Sequence, residues 1–329
     1  MKRKIAIIAG GDSSEYEVSL RSAKGIESFL DTDRYDITIV VLHGKEWRTE
    51  NGEEIDKNDF SFVRNGKKHT FDFAYITIHG TPGENGVLQG YLDMIGLPYS
   101  CCGVLAASIT FNKYACNHYL AGFGFRIAES ILIRKDEWKG GAGLVGDLSP
   151  EAIVARVGLP CFIKSNVGGS SFGCSKVKTV EGVAPAIERA FKEGSEVICE
   201  AYMKGTEVTC GVYKTKDKAV AFPITEVVTK NEFFDYDAKY RGQVDEITPA
   251  RIPDSVRDHI QTETLRIYDL LGCQGIIRVD WIIMDTIHLL EVNTTPGMTA
   301  TSFIPQQVRA AGLDIKEVLT DIIEDHFRL

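Results

Sequence analysis

Long apolar runs, a basic excess and paired-cysteine motifs are all missing from this chain of 329 residues. Unbroken apolar stretches such as residues 39–42 fall far short of the ~20 residues that a membrane-spanning helix requires. Lysine and arginine number 37 against 46 aspartates and glutamates, a net charge of -9. The broad basic footprint of a nucleic-acid binder is therefore absent, although a local basic pocket for a phosphorylated small molecule is compatible with it. Ten prolines and no biased tract argue against a disordered or fibrous chain. The eight cysteines sit singly in apolar stretches, apart from adjacent Cys101 and Cys102. With no Cys-x-x-Cys spacing and with scattered histidines, buried reduced thiols are expected rather than disulfides or a zinc site. The basic start leads into apolar residues 5–9 and then Gly10, Gly11 and Asp12, too short a run for a signal-peptide core. It reads as a first strand, and the protein as cytoplasmic. No Gly-x-Gly-x-x-Gly follows that strand, which sets aside a dinucleotide-dependent oxidoreductase.

What is present points to a large α/β protein. The chain is 44% hydrophobic, and its length suggests about two or three domains. The first hundred residues alternate strand (4–9), helix (15–30), strand (36–42), strand (74–78) and helix (88–95). That order predicts a parallel sheet flanked by helices, with ligands gathering beyond the carboxyl ends of its strands. The loops 10–14 and 79–86 occupy that position. Further on, a helix over 112–121 precedes strands 158–164 and 175–178, which flank a glycine-rich loop. A helix over 181–192 and a strand over 197–202 follow. The chain from Glu207 reads as strand-rich, ending in helices over 305–311 and 315–327. Residues 225–253 show little periodicity but carry Phe233, Phe234, Tyr236 and Tyr240, as an ordered lid would.

Several constellations could carry chemistry. IIRVDWIIM at 276–284 and IHLLEVN at 287–293 read as a hairpin turning at Asp285 and Thr286. That register sets Asp280 opposite Glu291 and Arg278 opposite Asn293, all four side chains on one face. Two facing carboxylates among apolar neighbours repel, and one takes up a proton unless a cation sits between them. Asp, Glu and Asn oxygens suit Mg²⁺, which also recruits phosphate oxygens; a solvated surface pair is the alternative. In KSNVGGSSFG at 164–173, glycines allow backbone N–H groups close to phosphates, and Ser170 and Ser171 add hydroxyls. It is not a Walker A loop. Lys164 and Lys113 could bring compact positive charge to phosphates, or simply be solvated. Ser14 and Glu17 form a capping-box pattern around Glu15. His79 leaves a strand end in HGTPGENG at 79–86, which could be no more than a tight turn. Glu200 and Glu207 could accept hydrogen bonds from adenine or ribose, or lie on a solvated linker.

Taken together, the motifs resemble the D-alanine–D-alanine ligases. GGDSSEYEVSL at 10–20, the 79–86 loop with its following LQG, Asn112 with Lys113, and IKSNVGGSSFG at 163–173 carry the likeness. So do FDYDAKY at 234–240, Arg278-Val279-Asp280 and LEVNTTPGMT at 290–299, in the family's order. The resemblance implies an ATP-grasp fold of three α/β domains, spanning 1–107, 108–203 and 204–329. It implies ATP-dependent joining of two D-alanines through an acylphosphate, for peptidoglycan synthesis. By similarity, Asp280, Glu291 and Asn293 hold two Mg²⁺ ions, which Mn²⁺ could replace. Lys113, Lys164, Ser171 and Lys239 contact ATP phosphates, and Glu200 and Glu207 its adenine and ribose. Glu15 with His79 holds the first substrate's ammonium, and Ser302 the second substrate's carboxylate. Arg278 and the Gly297 N–H stabilise the tetrahedral intermediate, while Ser170 and Tyr240 close the lid against water. Tyr240 favours D-alanine over D-lactate as second substrate. The family is usually dimeric, so a homodimer is expected. Asn85 stands where Asp is common, and Ser165-Asn166 replaces a Pro-containing step. Another ATP-grasp ligase for a different D-amino or hydroxy acid is the nearest rival; a non-catalytic nucleotide-binding regulator should have lost Arg278, Ser170 or Tyr240.

Overall fold

In the computed structural model, residues 2–140, 142–143, 146–169, 173–229 and 244–328 are described. The chain opens with a four-stranded sheet in the order Glu46–Thr49, Tyr35–His43, Arg3–Gly10, Phe73–Ile76. Arg3–Gly10 runs parallel to both neighbours, as the strand–helix alternation predicts, and Glu46–Thr49 adds an antiparallel edge. Residues 5–10 are buried throughout, because both faces of this strand are covered. Ile5, Ile7 and Ala9 enter one core and Ala6 and Ile8 another, following the two-residue period of a strand. The first of these cores also takes Ile26 from helix Tyr16–Phe29, and Ile304, Val308, Leu319 and Ile323 from the last two helices. Arg3 and Glu324 pair at 3.2 Å beside it, so the end of the chain packs on its first sheet.

A second, antiparallel sheet has the order Ser175–Val177, Cys161–Ser165, Glu196–Ala201, Ser130–Arg134. Helices Pro150–Val157 and Val183–Ala190 cover it around a separate core containing Ile133, Ile153, Ile163 and Ile187. The third sheet runs Val244–Ile247, Thr225–Thr229, Thr206–Lys214, Ile276–Ile283, Ile287–Asn293, with Ala219–Ala221 also paired to Thr206–Lys214.

Three readings need correction. The stretch after Glu207 is not merely strand-rich, since Asp254–Leu270 is a helix of 17 residues. It fully buries only Ile260, Thr264, Ile267 and Tyr268, with Val256, Leu265 and Leu270 partly covered beside them. Both ends of the 225–253 segment are strands, paired antiparallel from Glu226–Ile247 to Thr229–Val244; residues 230–243 lie outside the described residues. The capping box at Ser14 and Glu17 does not form: Glu15 is the N-cap without a side-chain cap, and its N–H donates to Ser13 Oγ at 3.2 Å. All eight cysteines are free thiols and seven are buried. No helix among the described residues is long and apolar enough to cross a membrane.

Candidate active site

The acidic hairpin brings together the residues expected of it, by a route the sequence did not foretell. Ile283 pairs with Ile287, so three residues rather than two make the turn, with Met284 N–H donating to Thr286 O at 2.9 Å. That register alone would set Asp280 opposite Leu290. A β-bulge between Trp281 and Asp280 adds Leu290 on the second strand and restores the predicted pairs, Asp280–Glu291 and Arg278–Asn293. Because strand side chains alternate, one extra residue decides which face Glu291 occupies.

Positive charge beside the acids comes from the protein's own side chains. The Arg278 guanidinium makes two hydrogen bonds of 2.8 Å to Asp280 and reaches Glu291 at 4.0 Å. Lys113 Nζ lies 3.8 Å from Glu291. Asn293 Nδ2 donates to Asp280 at 3.2 Å and to Glu291 at 3.5 Å. Arg278 and Asp280 are both buried. Burial alone would lower the arginine pKa, but Asp280 and then Glu291 raise it above its ordinary value. Phe303 presents its ring 5.4 Å from the guanidinium carbon, a cation–π contact.

A cleft of about 400 Å³ opens beside this hairpin, and its wall includes Glu15, His79, Lys113, Arg278, Glu291 and Ser302. Five sequence-predicted elements therefore converge on one space. Glu15, buried, packs against Gly169 of the glycine-rich loop, where a Cβ would fall 2.5 Å from its carboxylate oxygen. His79 Nε2 is 3.1 Å from Ser22 Oγ, and its carbonyl accepts Ser13 Oγ at 2.7 Å. Ser302 is the N-cap of helix Phe303–Ala310; its hydroxyl accepts the Thr299 N–H at 3.1 Å. A Cβ on Gly297 would come within 3.0 Å of that hydroxyl, so the bare backbone keeps the Gly297–Ser302 turn tight.

Beside the glycine-rich loop, Lys164 and Glu200 are joined rather than separate, with Nζ 2.6 Å from the carboxylate. Burial opposes the Lys164 charge, yet Glu200 raises its pKa above the ordinary value. Lys113 Nζ also donates to Gly168 O at 2.6 Å, linking the Lys113–Ala121 helix to the glycine-rich loop. Asn166 continues that link: its side chain accepts the Tyr114 N–H at 2.9 Å and donates to Glu196 at 2.8 Å. Glu207 is half-buried on the strand opposite Ile282. Ser170, Ser171, Lys239 and Tyr240 lie outside the described residues.

Sequence reasoning missed several groups. Thr209 donates to Asp280 at 2.5 Å from the neighbouring strand, a partner no local pattern reveals. Glu84 lines the cleft, accepts the Gly80 N–H at 2.6 Å and is pushed up to about 8 by burial and by nearby Glu15. Its place in the 79–86 loop was the available signal. Arg21 and Glu246 also face the cleft. Among the described residues no cluster of three His, Cys, Asp or Glu side chains forms a metal cage. The hairpin instead offers two carboxylates and one amide beside an open cleft. That set fits a hard divalent ion that completes its shell with water and phosphate oxygens.

Comparison with known proteins gives the family. Residues 4–102 match the family model for the D-ala D-ala ligase N-terminus, and residues 120–324 that for the D-ala D-ala ligase C-terminus. A D-alanine--D-alanine ligase of Bacteroides fragilis is 63% identical over 99% of this chain and 100% of its own. A solved D-alanyl-alanine synthetase A from Vibrio cholerae superposes with a TM-score of 0.86 at 28% identity, covering 98% of each chain. A D-alanine--D-alanine ligase from Bacillus anthracis complexed with ATP gives a TM-score of 0.76 at 28% identity, over 99% of this chain and 97% of that one. With both halves matched and the relatives aligned end to end, the chain belongs to the D-alanine–D-alanine ligase family and has its ATP-grasp fold.

Proposed function

We propose that the cleft performs ATP-dependent joining of two D-alanines by way of an acylphosphate, with the following division of labour. The ligation itself, in cell-wall synthesis, is the activity of the family to which the chain belongs. ATP phosphorylates the carboxylate of the first D-alanine, releasing ADP. The amine of the second attacks the acyl carbon, loses a proton, and phosphate leaves. Anions are gathered at every stage, so positioning and charge neutralisation carry most of the catalysis.

Glu15 receives the first ammonium, with His79 steadied behind it by Ser22. Arg278 and the Gly297 N–H take the charge that develops on the acyl oxygen. Ser302 holds the second carboxylate at the start of its helix, where backbone N–H groups also favour an anion. Lys113, Lys164, Ser171 and Lys239 take the phosphates, and Glu200 and Glu207 the adenosine. Asp280, Glu291 and Asn293 would hold Mg²⁺, which when bound supplies further neutralisation of phosphate charge. Ser170 and Tyr240 belong to the same proposal, as the pair that shuts out water. So do the three domains, 1–107, 108–203 and 204–329, a homodimer, and a cytoplasmic location, which the eight free thiols favour.

The observation that supports this reading best is the placement of Arg278, Asp280, Glu291 and Asn293 on one hairpin face beside Glu15, His79 and Ser302. Incubation with D-alanine, ATP and Mg²⁺ should yield D-alanyl-D-alanine by mass spectrometry, with one phosphate per dipeptide. Phosphate release without dipeptide would overturn the assignment. D-Lactate in place of the second D-alanine should give little depsipeptide.

A further inference from the structure

The bulge that turns Glu291 toward Asp280 is gripped by a neighbouring helix, and we infer that Asn117 is a positioning residue for the acidic hairpin. This inference rests on the proposed metal role of Asp280 and Glu291. Asn117 Nδ2 donates to the carbonyl of Leu290, the inserted residue, at 3.1 Å. Lys113 stands four residues earlier on the same helix, Lys113–Ala121, and meets Glu291 at 3.8 Å. Residues four apart lie on one helix face. Two successive turns of that face therefore hold two successive residues of the strand, one through its backbone and one through its side chain. The helix is itself fixed, with Asn112 capping it through the Ala115 N–H at 2.9 Å and the Lys113 N–H bonded to Asn166 O at 3.1 Å.

Asn117 does not line the cleft. It is buried, at 5% exposure, and its Oδ1 has no hydrogen-bond partner among the described residues. An orphaned buried acceptor is unfavourable, and a leucine of similar size would fill the space without one. The bond to Leu290 O is what the amide provides. Without that bond the inserted carbonyl would lose this donor, and the hairpin could slip toward the register of its turn. In that register Asp280 faces Leu290, and Glu291 moves to the opposite face of the sheet.

The test is calorimetric titration of the full chain with ADP, with and without Mg²⁺. Mg²⁺ should tighten ADP binding in the parent, and Asn117→Leu should forfeit roughly tenfold of that gain, as loss of an outer support to a metal ligand does. Metal-free ADP affinity should not move, and Asn117→Gln, which keeps an amide donor, should recover most of the gain. If Asn117→Leu fails to fold, Asn117→Ala removes the same donor without overfilling the site. An undiminished Mg²⁺ gain in the leucine variant, alongside its loss in Glu291→Gln, would overturn the role of Asn117 alone. A gain that also survives in Glu291→Gln would remove the metal reading and this inference with it. Equal weakening of ADP binding with and without Mg²⁺ would show Asn117 acting on the fold, and would likewise overturn the inference.

Discussion

At the scale of single residues, the Arg278–Asp280 pair ties the proposed catalysis to stability. Each side chain is about 10% exposed, and the pair is bidentate. Removing one partner of such a pair leaves a buried charge poorly compensated. Asp280→Asn should therefore abolish most turnover and also cost about 3 kcal/mol of stability in urea unfolding. Glu291, 28% exposed and 3.8 Å from Lys113, is looser. Glu291→Gln should remove turnover yet change stability by less than about 1 kcal/mol. Equal unfolding midpoints for the two variants would contradict the ranking. Glu84 supplies a pH signature. Its carboxyl is raised from 4.5 to about 8, first by burial and then by Glu15. The folded state thus binds a proton that the unfolded state releases between those values. Stability from this group is complete below pH 4.5 and lost as pH rises through about 8. Glu84→Gln should flatten that fall by about 1–2 kcal/mol, allowing for screening in the open cleft. A parallel stability profile in parent and variant would show Glu84 ionised throughout.

At the scale of elements, the cleft depends on how closely helix Tyr16–Phe29 approaches the turn before Ser302. A Cβ on Gly25 would lie 2.2 Å from Met298 O and 3.4 Å from Thr299 Cα. Alanine is the better helix former by about 1 kcal/mol, but here it must push a backbone carbonyl aside. Gly25→Ala should be destabilising by about 2 kcal/mol and should raise the KM for D-alanine, because Ser302 moves with the turn. A variant more stable than the parent, with unchanged KM, would refute the close approach. The same scale shows what the sequence made legible. Period-2 alternation disclosed both hairpin strands and their common face, since it is a local property of each strand. The correct facing of Asp280 and Glu291 came from two compensating displacements, a longer turn and a bulge at Leu290. Neither has a local signature. Thr209 was invisible for a similar reason: its strand pairs with the Asp280 strand across 71 positions of sequence. Helix Asp254–Leu270 was hidden by the polar and charged residues between its apolar ones, although residues 260, 264, 267 and 268 keep helical spacing.

At the scale of the whole molecule, the cores are not shared evenly. One core joins Ile5 and Ile7 of the first sheet to Tyr213 and Ile276 of the third, and to Leu319 and Ile323 of the last helix. The third sheet turns its other residues, such as Val212 and Ile277, into a further core with Ile260 and Ile267. First and third sheets are thus two sides of one hydrophobic assembly. The central sheet keeps its own core, with Ile133, Ile163, Ile187 and Val197, and none of those residues enters the other cores. Its links to the remainder include polar contacts at the cleft, such as Lys113 to Gly168 O and Tyr114 N–H to Asn166. Helix Lys113–Ala121 packs with the remainder, because it sends Cys116 and Leu120 into the third sheet's core, although the proposed boundary at 107/108 assigns it to the central domain. Apolar burial sets cooperativity, so units that share little of it can unfold separately. Scanning calorimetry of the ligand-free chain should resolve two transitions. Ile163→Ala, a cavity in the central core, should lower one midpoint by about 2–5 kcal/mol of stability, and Leu319→Ala the other by a similar amount. If ADP with Mg²⁺ binds across the cleft as proposed, it should draw the transitions together, because ligation favours the joined state. If either alanine variant shifted a single common transition, the central sheet would be bound to the rest by more than its cleft contacts, and closing over nucleotide would have to come from loops alone.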